Sequence, residues 1–167
     1  MSDRPSILGL LGPVIAAIAP EGQRLFAALG ERIAATRYRA WADASEDASM
    51  RKVLEACAAR EEVIAGRVES LAPNAAAIQE QLQKDHAGIA DQYFALFDGW
   101  PLAEQFAMQA EAERAGAGAW RAYADAADAA DAANNEEEAK LLRSCAPLEE
   151  ENADALDELI KQLNTRG

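Results

Sequence analysis

Glu31–Ala44 reads ERIAATRYRAWADA, and Glu113–Ala126 reads ERAGAGAWRAYADA. Eight of the fourteen aligned positions are identical, and two more exchange one aromatic for another, Tyr38 for Trp120 and Trp41 for Tyr123. A second match follows each segment. Leu54–Leu71 (LEACAAREEVIAGRVESL) aligns with Leu142–Leu159 (LRSCAPLEEENADALDEL) at seven identities in eighteen positions, among them Cys57/Cys145 and the glutamate pairs 61–62 and 149–150. Two helical patterns per unit, repeated over so long a period, mean a duplicated helical hairpin rather than a solenoid. Two hairpins packed face to face make a four-helix bundle. The duplication then places Glu31, Glu61, Glu113 and Glu149 at matching points where the core of that bundle would be.

Composition agrees. A chain of 167 residues is one domain, 1–167, and long enough to bury a core. Ala and Leu are abundant and aromatic residues few, which favours helix over strand. The formal charge is −13 with a pI near 4.5. Such a surface repels phosphate backbones and anionic lipid, so neither nucleic acid nor a membrane is an expected partner. Much of the acid lies between Ala124 and Glu158, where twelve Asp or Glu face only Lys140 and Arg143. Two cysteines without metal-type spacing point to reduced, buried thiols and a cytoplasmic protein.

The N-terminal run Ser6–Ala19 has no charged residue. The mixed charges of the MSDRPS leader and the interruption at Pro13 argue against a secretory signal. Fourteen residues also fall short of a membrane span. Ile7, Leu8, Leu11, Val14, Ile15 and Ile18 share one helical face instead. So little polarity calls for cover by the bundle or by a second subunit, and a homodimer with this helix at or near the interface is expected.

Punctuation sets the remaining elements. An N-terminal apolar helix occupies 1–19. The first hairpin, 21–71, holds a helix from Glu21 to Ala44 and another reaching Leu71, with Ser45 as the N-cap of the second. Pro73 stops it. A crossover over 74–99 has a weaker helical signal. The second hairpin, 101–163, starts at Pro101, a favourable first-turn residue, and runs to about Ala133. Asn134–Asn135 turn the chain, and Asn135 with Glu138 has the spacing of a cap for the last helix. Asp125, Asp128 and Asp131, three residues apart, drift around a helix and read as a solvated face. Pro147 should free the Arg143 carbonyl and kink the last helix.

Two tight hairpins joined by a long crossover resemble the ferritin-like superfamily, the rubrerythrins and bacterioferritins above all. Glu31 with Tyr38 seven residues later is similar to that family's first ligand helix. Leu54, Ala58, Glu61 and Val68 share a face, as do Leu142, Ala146, Glu149, Leu156 and Ile160, and these are similar to its second and fourth helices. The resemblance implies a di-iron site held by Glu31, Glu61, Glu113 and Glu149, with a histidine three residues after each of the second and fourth glutamates. Those places hold Ile64 and Asn152, and the only histidine, His86, lies in the crossover. A register shift to Glu62 and Glu150 brings Ala65 and Ala153, which are no better. The four-cysteine electron-relay site of the rubrerythrins is excluded by a chain with two cysteines.

Three readings of the glutamates follow. They form a carboxylate-built site for a divalent metal, with manganese, magnesium or ferrous iron suited better than zinc. They form a metal-free core in which acids share protons or pair with arginines. Or the register differs and some face solvent. Tyr38, Trp120 and Asn152 stand beside them, either packing symmetrically or, as the resemblance implies for Tyr38, hydrogen-bonding a ligand carboxylate. No glycine-rich phosphate loop, nucleophile motif or second histidine supports another chemistry. The expectation is a diverged ferritin-like protein with an impaired or lost di-iron site and a binding or structural role rather than an enzymatic one. The alternative is a carboxylate-bound metalloprotein doing oxidase, peroxidase or iron-handling chemistry.

Overall fold

A computed structural model describes residues 4–130 and 135–166. Among the described residues the regular elements are all helices, joined by short turns and loops, without strands. In chain order the helices are α1 (Ile7–Ala17), α2 (Pro20–Ala44), α3 (Ala48–Glu69), α4 (Ala75–Asp85), α5 (Ile89–Ala95), α6 (Leu102–Ala129), α7 (Asn135–Arg143) and α8 (Ala146–Arg166). Helix α2 packs on α3, α6 on both α7 and α8, and α3 on α8.

Ion pairs report the relative directions. Arg32 of α2 pairs with Glu69 at 2.5 Å and Arg39 with Glu62 at 3.0 Å, so residue numbers rise along one helix as they fall along the other. Arg114 with Asp157, and Arg121 with Glu150 at 2.7 Å, give the same antiparallel relation between α6 and α8. Arg60 with Glu151 at 2.9 Å, and Arg67 with the Ser144 carbonyl at 2.8 Å, give it for α3 and the α7–α8 segment.

Local chemistry corrects several expected boundaries. Asp47, not Ser45, caps α3: its Oδ1 accepts from the Ser49 and Met50 amides at 2.8 and 3.1 Å. A carboxylate at a helix N-terminus also meets the favourable end of the dipole. Pro101 sits just before α6 rather than inside it. Asn135 is already helical, and its side-chain amide donates to the Ala130 carbonyl. The expected extension of α6 to Ala133 and the turn at Asn134 fall partly on 131–134, outside the described residues.

The last helix is not one kinked rod. It breaks at Ser144–Cys145 into α7 and α8, because Pro147 has no amide to continue the ladder. Arg67 fills the break by donating to the Ser144 carbonyl and hydroxyl, at 2.8 and 3.1 Å. The crossover is also more ordered than expected. It forms α4 and α5, joined through Gly88, whose φ of +88° suits a residue without a Cβ. His86 ends α4, half-buried, with its ring edge-on to Phe26 at 5.2 Å. Both cysteines are buried free thiols, which burial pushes up to about 12 for Cys57 and about 11 for Cys145.

Buried apolar side chains form two main clusters along the helices. One gathers Tyr38, Trp41, Leu54, Phe97, Phe106 and Leu156. The other gathers Ile64, Val68, Trp120 and Leu142. A third, smaller one joins α4 to the start of α2. The four glutamates lie between the first two clusters. On each helix the alanine three residues before the glutamate and the alanine four after it belong to opposite clusters: Ala28 and Ala35, Ala58 and Ala65, Ala110 and Ala117, Ala146 and Ala153.

Candidate metal centre

The spacing just described decides where the acids point. Alanines at i−3 and i+4 share the face of the glutamate between them. All eight are buried, so each glutamate has the least side-chain bulk above and below it; Glu61, Glu113 and Glu149 are buried and Glu31 is half-buried. The register ambiguity resolves. Glu61 and Glu149 are buried, while Glu62 pairs with Arg32 and Arg39 and Glu150 with Arg121 toward the outside.

Carboxylate oxygens of Glu31, Glu61 and Glu149 come within 4.8 Å of one another. That is the spacing of donors around one cation. Glu113, the fourth candidate, is buried beside them but faces Tyr38 and Gln109. Each buried acid has its own donor. The Tyr38 hydroxyl donates to Glu113 Oε1 at 2.6 Å, and the Trp120 indole N–H donates to Glu149 Oε1 at 2.6 Å. The Asn152 amide donates to Glu61 Oε1 at 2.5 Å. These three residues therefore act on the acids, and the two aromatics do so unequally. Tyr38 reaches the glutamate of the opposite hairpin, whereas Trp120 reaches one of its own.

Several participants escaped the sequence reading. Gln109 donates to Glu113 Oε1 at 2.7 Å and accepts from the Tyr93 hydroxyl at 2.7 Å. Gln109 lies four residues before Glu113, on the same helical face, which was a usable signal; Tyr93 comes from the crossover and gave none. Arg60 donates to Asn152 Oδ1 at 3.1 Å and so fixes which end of that amide meets Glu61. Gly116 makes room for Glu149: a Cβ there would stand 2.7 Å from Glu149 Oε1.

Electrostatics show what the cluster lacks. Burial, then repulsion from Glu113, Glu31 and Glu149, pushes the Glu61 carboxyl well above its ordinary value of 4.5. Burial, then the charges of Glu31 and Glu113, does the same to Glu149. Glu31 is pushed up to about 7, chiefly by burial, with hydrogen bonds to Glu61 and Glu149 pulling the other way. Among the described residues, no arginine or lysine pairs with any of the four. The Glu61 Oε2 atom is buried with no hydrogen-bond partner.

Compared with known family models, curated proteins and solved structures, the chain matches none of them. The donor set alone therefore tests a metal. It fits a hard cation held by oxygen: three convergent carboxylates, an unpartnered buried oxygen and a space kept clear by Gly116. It does not fit an imidazole-bearing di-iron centre. Ile64 has no ligand atom, and both ends of the Asn152 amide are engaged by Arg60 and Glu61.

Proposed function

We propose that this chain is a ferritin-like protein of two duplicated hairpins that has lost the imidazole arm of a di-iron site and binds a single hard divalent cation instead. The observation that carries the reading is Glu61: fully buried, with one oxygen held by Asn152 and the other meeting no donor other than a proton shared with a neighbouring glutamate. A buried carboxylate oxygen left unpaired is costly, and a cation between Glu31, Glu61 and Glu149 removes that cost. Manganese, magnesium or ferrous iron suit such donors better than zinc. The bound ion would supply positive charge that holds the inner carboxylates ionised. Tyr38, Trp120, Gln109 and Asn152 would fix their orientation.

A metal-free core is the second reading, favoured by the closeness of the Glu31, Glu61 and Glu149 carboxylates, which lets them share a proton. Two carboxyls share a hydrogen bond only when one keeps its proton, so this core would store protons in place of a cation. Metal analysis of protein purified without chelator, beside the Glu61→Ala variant, separates the two. Metal retained by the parent and lost by the variant supports the cation site. No metal in either, with no change in melting on adding manganese or ferrous iron, overturns it.

A further inference from the structure

A cleft of about 590 Å³ opens onto the acids from the side covered by α1. Its walls are apolar, with Leu8, Leu11 and Ile15 from α1, Ile33 from α2, Phe94 from the crossover and Ala115 from α6. Its polar end is formed by Glu31, Glu113 and Glu149, while Glu61 lies behind them and does not line it. An apolar cavity of this size with a few convergent polar groups is the usual shape of a small-molecule site.

We propose that this cleft binds a small apolar amine, its hydrocarbon body against α1 and its ammonium on Glu31, Glu113 and Glu149. Charge selects the head group. The one guanidinium on the lining, Arg32, is already held by Glu62 and Glu69. Gln109 has its oxygen and nitrogen engaged by Tyr93 and Glu113. Neither Arg32 nor Gln109 is therefore free to meet an anion beside the acids. Glu113 lines the cleft but stands outside the three carboxylates that could hold a cation, so it remains available to an ammonium whether or not a cation is bound. The lid is suited to admit a guest. α1 leaves Leu8 50% exposed while Ile7 is buried in the core, and Arg4 just ahead of it pairs with Glu104 at 3.0 Å and with Glu111 of α6. The amine site shares Glu31 and Glu149 with the cation site but does not require it.

The test uses the full chain stripped of metal with chelator, so that failure of the cation reading leaves it intact. Titration calorimetry compares n-octylamine, octanol and octanoate, with ethylamine as an ammonium lacking the body. Octylamine should bind at least about tenfold more tightly than each of the other three. Glu113→Gln should bring octylamine down to the octanol level. Ala115→Phe, which keeps every acid and fills the cleft, should abolish octylamine binding. Octanoate binding as well as octylamine, ethylamine matching it, or Ala115→Phe leaving it unchanged would each overturn the proposal.

Discussion

Replacing Glu61 with glutamine distinguishes a cation site from an inert acid cluster, because the change has opposite signs with and without metal. In the metal-free protein Glu61 must either keep a proton or keep its charge. Keeping a proton at pH 7 on a group that releases it near 4.5 when unfolded costs up to ~3.4 kcal/mol. Keeping the charge costs as much: two charges 5 Å apart at an effective dielectric of 20 repel by ~3.3 kcal/mol. Glutamine removes that burden. It retains an oxygen to accept from Asn152 and gains a donor for Glu31 or Glu149. Part of the gain is lost because an amide oxygen accepts less strongly than a carboxylate. The expected net stabilisation is ~1–2 kcal/mol, a rise of ~3–6 °C in Tm for a domain of this size. With manganese at a hundred times its Kd, the parent gains ~2.7 kcal/mol, and the variant, short of a ligand, loses most of that. Thermal melts should therefore invert: Glu61→Gln melts above the parent in chelator and below it in manganese. If it melts below the parent in chelator and keeps the full manganese shift, Glu61 carries neither the strain nor the cation, and the reasoning fails.

Four further outcomes are expected. Glu31 has a folded value near 7 against an ordinary 4.5, so the metal-free native state binds more protons than the unfolded one between them. Its stability should fall as pH rises through that window, Glu31 contributing up to ~1.4 kcal/mol per unit and Glu61 and Glu149, also pushed up, adding to the fall in the same direction; urea melts rising from pH 5 to 7 would contradict this. Gly116→Ala places a methyl 2.7 Å from Glu149 Oε1 and should cost ~1–3 kcal/mol while weakening manganese binding, read by melts with and without the ion. Asn152→Leu strips the donor from Glu61 Oε1 and should cost ~1–3 kcal/mol in urea denaturation of the metal-free protein. Light scattering should show a homodimer that deletion of residues 1–19 converts to monomer, since much of the apolar face of α1 is only partly covered by its own chain.

What could be read from the sequence follows from the physics of helices. The helix end at Ala44 was legible because a polar turn interrupts a strong helical period, whereas the expected end at Leu71 lies two residues beyond the observed one at Glu69. The meeting of Glu31, Glu61 and Glu149 was legible because the segment match fixed which acids occupy corresponding turns. Choosing Glu61 over Glu62 was open on paper. The buried alanines at i−3 and i+4 settle it, and that pattern, present on all four helices, was in the sequence unread. Contacts that depend on the crossover were not legible. Tyr93 reaches Gln109 only because α5 packs near α6, and no local period encodes that. The break at Ser144 was half legible. Pro147 announces a disturbance, but whether the helix bends or stops depends on Arg67, seventy-seven positions away, filling the gap.

The distribution of arginines bears on why the inner acids are there at all. Arg32, Arg39, Arg60, Arg114 and Arg121 all pair with acids, and every partner is an outward one: Glu62, Glu69, Glu151, Asp157 or Glu150. The chain thus has cations within a turn or two of the cluster and turns none of them into it. Replacing buried charges with apolar groups of like volume is often neutral or stabilising, so a core that only had to hold helices together would gain by replacing Glu61 or Glu149. Packing also argues against an accidental layer. Alanine above and below every glutamate leaves little bulk to fill the space around the acids, and Gly116 widens it further. Tyr38, Trp120, Gln109 and Asn152 each present an N–H or O–H to a carboxylate oxygen, a geometry that stabilises charge rather than neutralising it. Donors on the outside, a buried carboxylate oxygen that meets no N–H within and no arginine or lysine turned inward among the described residues are what the proposed cation site requires.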